Sequence, residues 1–408
     1  VAPAPEYAFL GFAHFVLLFV GAGALAVAVR QESDTTQHLI IGGITVSGIL
    51  YALYFAVRCG AFLVIPELEI GRDTVTGFSN VRHFNQYQTW TLPLLAVPVL
   101  SLSREWWAVR GFAFLVLCLW WALLFASVAR GTFLSLAVAF AGASLVFGRR
   151  IRNTLTVQAA SLVLGAGMYY MLFWTSPGAG DAFVQQAQGT RSVVGRLEHW
   201  RICLEMVVAN PVLGAGPMHY AWPPINFMPA AHPHNAFMQW LGEWGLPSTL
   251  IMSGLTMWGG WQWIKQEQTE KAGGEDPGAL RIALVASVLA GGAYAMISGI
   301  LVTPVSQILL VLVGGWAWGR YHHPGSPVTS SSTMSHFLLC GLLVMAIGIV
   351  GLRSAQDLST IEERQAAYAE AVERRYYSPR YWIQGYIGVR DPSVIDRARR
   401  QPYEEDLF

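Results

Sequence analysis

Apolar runs long enough to cross a bilayer recur along this chain, and that pattern restricts its fold more than any other feature. A transmembrane helix takes about 20 such residues. The runs lie near 7–29, 38–57, 87–102, 111–129, 131–148, 154–174, 235–263, 280–302, 305–319 and 335–352. Hydrophobic residues make up 54% of the 408, and charged residues only 12%, where soluble chains carry nearer ~25%. One soluble core cannot hide that much apolar surface, and one signal peptide does not account for so many runs. The expectation is an all-α polytopic transmembrane bundle of about ten visible spans with a helical outer loop domain. An ordinary soluble enzyme, a disordered chain and a secreted disulfide scaffold are excluded. With 26 Lys+Arg against 25 Asp+Glu, there is no basic excess to draw nucleic acid. Cys59, Cys118, Cys203 and Cys340 form no CxxC pair.

The distribution of cations sets an orientation. Arg30, Arg104, Arg110, Arg149, Arg150, Arg152, Lys265, Lys271, Arg281 and Arg320 fall on one set of mostly short connections. By the positive-inside rule that side is cytoplasmic. The long loops 58–86 and 175–234, and the tail 353–408, then face outward. This parity puts Val1 outside and, with no initial Met, leads to the expectation that an odd number of spans precedes it. The chain divides into an N-terminal bundle (1–174), a large outer loop (175–234), C-terminal spans (235–352) and a helical tail (353–408). Within the loop, Val194, Leu197, Leu204 and Val208 share a helix face. Asn210-Pro211 ends that helix, Leu213–Pro217 is a tight turn, and a second helix begins near His234. In the tail, Ser359 and Glu362 have capping-box spacing. Ile361, Gln365, Tyr368, Val372 and Arg375 then line one face, as a cap or a partner-docking segment.

Chemistry-bearing residues gather on the outer side. His232-Pro233-His234-Asn235 closes the long loop. A neutral imidazole, with pKa near ~6.5, can take a proton from a sugar hydroxyl, and Asn235 can orient the ring or the hydroxyl. A helix cap with an interfacial histidine, or a His-x-His metal site, are the other readings. Arg130 is the only charge between Gly111 and Phe147, and an arginine within a span is a functional hypothesis by default. Arg191 and Arg196 open the loop helix. Arg82 precedes His83, Asn85 and Gln86 on the other outer loop. All but two of the basic residues are arginine, the side chain that forks onto phosphate. A diphosphate-linked substrate needs such cations; each can also be a plain solvated or snorkelling charge. Glu67, Glu69 and Asp73 are the outer carboxylates a metal would need. No nucleotide-binding fingerprint is present, and Gly214-Ala215-Gly216 is only a turn.

Several of these residues together resemble a known family. Arg130-Gly131 opens a span; Arg196-Leu197 and Trp200 follow on the outer loop, then Asn210-Pro211 and Leu213-Gly214-Ala215-Gly216. His-Pro-His-Asn-Ala-Phe-Met-Gln-Trp-Leu-Gly-Glu-Trp-Gly at 232–245 completes the series. Over roughly 80–250 this is similar to the O-antigen ligase / O-antigen polymerase superfamily. The resemblance implies a bacterial inner-membrane glycosyltransferase with a periplasmic site. Its donor is an undecaprenyl-diphosphate-linked O-antigen and, in the ligase branch, its acceptor is lipid A–core oligosaccharide. It implies His234 as the group that activates the acceptor hydroxyl. Arg130 and one of Arg191 and Arg196 are implied as diphosphate contacts. Inverting transfer without metal or ATP is implied too, hence no cofactor. Protein O-oligosaccharyltransferases of the superfamily usually carry a larger outer C-terminal domain than 353–408. Polymerases, which use a second glycan-lipid as acceptor, are more divergent. A lipid-linked glycan transporter, the reading from a different class, needs polar residues inside the spans, whereas here polar groups are expected outside them.

Overall fold

The structure, a computed structural model, describes residues 2, 5–31, 33–64, 77–78, 81–174, 191–221, 232–272, 278–320 and 333–358. These residues form twelve α-helices and no strand: α1 (Pro5–Gln31), α2 (Ser33–Val64), α3 (Val81–Leu94), α4 (Ala96–Ser101), α5 (Trp107–Ala126), α6 (Arg130–Phe147), α7 (Arg152–Tyr169), α8 (Arg191–Ala209), α9 (Ala236–Ala272), α10 (Gly278–Ala295), α11 (Pro304–Arg320) and α12 (Thr333–Leu358). The five stretches Tyr7–Gln31, Thr35–Ala61, Arg104–Ala126, Arg130–Phe173 and Gly278–Ala295 are long and apolar enough to cross a membrane. Helices dominate because in lipid only intrasegment bonding satisfies every backbone N–H and C=O. Their outer faces carry Phe9, Phe19, Leu50, Val57, Leu145 and Val163, all exposed, which suits lipid rather than water. This is the all-α polytopic bundle that the apolar runs predict.

The centre differs from expectation. The run at 87–102 is not one apolar span. It is α3 and α4, separated at Leu95, and α3 is buried along its whole length from Phe84 to Leu94. Its polar side chains are satisfied from neighbouring helices. Asn85 donates to Ser127 Oγ at 2.7 Å, Gln88 to the Trp120 carbonyl at 2.8 Å and Trp90 to Ser306 Oγ at 2.8 Å. Ser287 donates to the Trp90 carbonyl at 2.6 Å, and Gln158 to the Leu92 carbonyl at 3.0 Å. Buried amides and hydroxyls are tolerated only when bonded in this way. The expectation that polar groups keep outside the spans is therefore corrected: charge does so, but an uncharged polar network runs through the bundle. Because α2 reaches Val64 and α3 begins at Val81, Arg82, Asn85 and Gln86 belong to a helix and not to the outer loop 58–86.

Close packing elsewhere uses small residues. Gly315 and Gly319 lie one turn apart on α11 against α1. A Cβ on either would stand 2.6 Å from the Ala22 carbonyl oxygen or 2.8 Å from that of Ala26, so only glycine lets the two backbones meet. The run near 235–263 is α9, which extends to Ala272 with a kink at Gly245. The run near 280–302 is α10, which stops at Ala295 and leaves 296–303 as irregular backbone. Glu67, Glu69, Asp73 and the tail positions from Ser359 onward lie outside the described residues.

Candidate active site

The loop helix α8 ends at Ala209, before Asn210-Pro211 as predicted. Its packed side is another matter. His199, Ile202, Cys203 and Met206 are buried, with Met238 of α9 packed against this group, while Leu197, Leu204 and Val208 stay exposed. The shared apolar face is therefore not the packed one. Arg201, on the exposed side, lies between Glu198 and Glu205, with contacts of 2.5 and 2.8 Å.

The next segment docks on the kink of α9. The Gly214–Gly216 turn and the kink exchange backbone bonds: Ala215 N–H to the Gly242 carbonyl, Gly216 N–H to that of Glu243, and Leu246 N–H to that of Pro211, all at 2.9 Å. Gly214 and Gly245 both take positive φ, +66° and +77°, which other residues rarely adopt. A Cβ on Gly214 would collide with the Glu243 backbone, and one on Gly245 with the Val212 carbonyl. Glu243 is buried and accepts from Tyr220 N–H at 3.1 Å and from Gln239 Nε2 at 3.3 Å. The glycines and glutamate of these two motifs are thus one structural joint.

That joint holds α8 beside the His-Pro-His-Asn turn. Trp200 Nε1–H donates to the Pro233 carbonyl at 3.2 Å. The His234 ring stands 4.2 Å from the His232 ring and 5.8 Å from that of His199, centroid to centroid. His234 itself has φ +54°, unusual for a residue with a side chain, and its N–H reaches His232 Nδ1 at 3.2 Å. The His232 ring occupies the space that a Cβ on Gly299 would fill. Asn235 caps α9: its Oδ1 accepts from Met238 N–H and its Nδ2 donates to the Met296 carbonyl, both at 2.9 Å. These bonds engage both ends of the amide with backbone and fix its position.

One turn before His199 on the same helix is Arg196. Burial, then Arg82, then Arg130 hold its guanidinium below the usual arginine value, with Tyr294 acting in the opposite direction. Three expected arginines, from α3, α6 and α8, therefore converge. Arg82 and Arg130 are exposed and Arg196 is half-buried. Two residues before Arg130, Val128 bends the chain between α5 and α6 at φ +49°, a costly conformation for a β-branched side chain and one that tends to occur at functional sites. Arg191 is the first residue of α8, and its side chain lies outside those described. His232 and His234 stand together, yet among the described residues no group of three His, Cys, Asp or Glu side chains is arranged to hold a metal ion.

The family comparison covers this assembly: residues 90–253 match the family model described as O-Antigen ligase. Residues 90–253 therefore form a domain of the O-antigen ligase family type. The matched stretch runs from α3 into α9, so the ligase-family domain contains Arg130, α8, the docked turn and 232–245, and Arg82 stands just ahead of it. No curated protein matches the chain. Around the O-antigen ligase motif residues, three participants escape sequence reasoning. Tyr294 faces the arginines, Tyr220 bonds to His199, and His199 borders His234. A single histidine on a helix reads as a core residue, and its spacing from Arg196 and Trp200 was the only available signal. His199 is 3% exposed, and burial pushes it down to about 4, opposed by Glu198. It is therefore neutral at ordinary pH.

Proposed function

We propose that this chain is an O-antigen ligase. It transfers O-antigen polysaccharide from undecaprenyl diphosphate to a sugar hydroxyl of lipid A–core, on the periplasmic face of the bacterial inner membrane. The observation that carries the reading is that Arg82 and Arg130 both act on Arg196, which lies one turn from His199 beside His234. Three like charges repel one another, and the groups that shift Arg196 include no carboxylate. An anion of two or more charges relieves that repulsion, and guanidinium forks match phosphate oxygens. Along α8, Arg196 and His199 differ by three residues, about 5 Å of helix rise. A diphosphate held at the arginines then brings the sugar C1 attached to it toward His234.

In this reading the acceptor hydroxyl loses its proton to His234 as its oxygen attacks C1. The C1–O bond to the diphosphate breaks, and the undecaprenyl diphosphate leaves with the electron pair, its charge stabilised by the arginines. The anomeric centre inverts. No nucleotide is consumed, since the donor bond itself supplies the driving force.

The test is transfer by purified protein from labelled undecaprenyl-diphosphate glycan. Lipid A–core, a pilin-type protein and a second glycan-lipid are offered together. Label on lipid A–core alone supports the ligase; label on protein or on a longer lipid-linked glycan overturns that acceptor. His234→Ala should lose transfer by roughly 10²–10⁴-fold with folding intact, and wild-type turnover in that variant would remove His234 from the mechanism.

A further inference from the structure

A base works only if its ring is held in one orientation, because misplacement by about 1 Å can cost 10²-fold in rate. The terminal torsion of a histidine is broad, so neighbouring groups must fix it. Two rings border His234. His232 is set by Gly299 and by the His234 N–H. His199 is set by Tyr220, whose hydroxyl stands 2.6 Å from Nδ1. Tyr220 is fully buried and belongs to the 3-10 turn His219–Ala221. Its N–H is tied to Glu243, and so to the joint between the Gly214–Gly216 turn and α9.

A buried histidine–tyrosine pair is not what packing alone selects. Burying an imidazole and a phenol costs free energy unless both are bonded, and two apolar side chains of similar size would fill the same place without that cost. Either tautomer of the neutral His199 ring bonds to the Tyr220 hydroxyl through Nδ1. Among the described residues, the titratable and charged groups around this pair are Arg196, Glu198 and Cys203 on its own helix, Tyr220 on the 3-10 turn, Glu243 of α9 on the Tyr220 N–H, and His234 with its neighbour His232 on the motif. A neutral ring adds no further charge to a site that already gathers three arginines.

We propose that Tyr220 and His199 form a positioning pair that holds the His234 ring in the orientation from which it takes the acceptor proton. The inference rests on the proposed role of His234 as base. It adds two residues that act through His234 and do not touch the substrate.

The experiment measures transfer from undecaprenyl-diphosphate glycan to lipid A–core as a function of pH. It compares the unaltered chain with His199→Phe, His199→Asn, Tyr220→Phe and His234→Ala. His199→Phe should lower kcat roughly 10–100-fold, with KM for the donor unchanged within about twofold because the arginines are untouched. The acid limb of its pH profile should move down by roughly half a unit, since an apolar neighbour disfavours the charged form of His234. Tyr220→Phe should shift the same limb in the same direction with a smaller loss of kcat. His199→Asn, whose side-chain oxygen can accept from Tyr220, should recover part of the rate. Should His199→Phe not fold, Tyr220→Phe carries the test. An unshifted acid limb and near-normal kcat in Tyr220→Phe and His199→Phe, with His234→Ala inactive, would overturn the positioning pair alone. Failure of the unaltered chain to transfer to any acceptor would overturn the functional reading and this inference together.

Discussion

Helix α10 joins two arginine sites with opposite surroundings. At its start, Arg281 pairs with both Glu267 and Glu270 of α9 and is almost fully buried. Near its end, Tyr294 faces Arg196, which is set among Arg82 and Arg130. Tyr294 lies thirteen positions after Arg281, which corresponds to about 20 Å of helix rise. A cation with two carboxylates at hand is already neutralised and serves to join helices. A half-buried cation on which other cations act has been placed there against electrostatics, which folding alone does not reward. The difference separates an arginine that builds the molecule from arginines that, in the proposed reading, bind a polyanion.

The largest effect that tests this contrast concerns stability at the paired end. Arg281→Ala should destabilise the protein by about 3–5 kcal/mol, because it leaves Glu267 buried without its counter-charge. Denaturation in detergent micelles measures this, and transfer by the folded fraction should be unchanged. At the like-charged end the effect should fall on activity. Arg130→Lys should lose roughly 100-fold in kcat/KM, since a point charge replaces a fork, while its thermal midpoint stays close to that of the unaltered chain. Full activity in that variant would move Arg130 to the structural class of Arg281.

A smaller effect comes from His199, whose value falls from 6.5 unfolded to about 4 in the folded chain. Between these values the unfolded state binds more protons than the folded one. Stability from this group is therefore complete above pH 6.5 and declines as pH falls toward 4. By pH 5 the loss should be roughly 1–2 kcal/mol. In His199→Phe that part of the acid sensitivity should be absent from thermal midpoints recorded across the same range.

How much of this was legible in the sequence depends on the range over which each signal acts. Helix α8, its stop at Asn210-Pro211 and the start of α9 beside His234 follow from local signals: periodicity, a breaker and a cap. Arg130 is conspicuous because nothing else in its apolar run is charged. The role of α3 was not legible, because Asn85, Gln86, Gln88, Thr89 and Thr91 look like loop or span-edge residues until α5, α6 and the connecting residues Ser127 and Thr303 supply partners. Arg82 was found for its charge but misplaced for the same reason. The shared apolar face of α8 did not reveal its packed side, which carries His199, Ile202, Cys203 and Met206. Glu243 and Gly245 were visible as motif residues. Their task of receiving the Gly214–Gly216 turn is a contact across about thirty residues that no spacing rule predicts. The pairing of His199 with Tyr220 was hidden likewise, since neither residue belongs to a pattern.

The central claim is that the like-charged cluster is a diphosphate site and not a structural one. The most direct measurement is the thermal midpoint of the unaltered chain and of Arg196→Met, each with and without undecaprenyl diphosphate. Methionine keeps most of the aliphatic stem and removes the charge. The account predicts that Arg196→Met without ligand is at least as stable as the unaltered chain, and that the rise in midpoint produced by the diphosphate largely disappears. A destabilised Arg196→Met that keeps the full ligand-induced rise would contradict it.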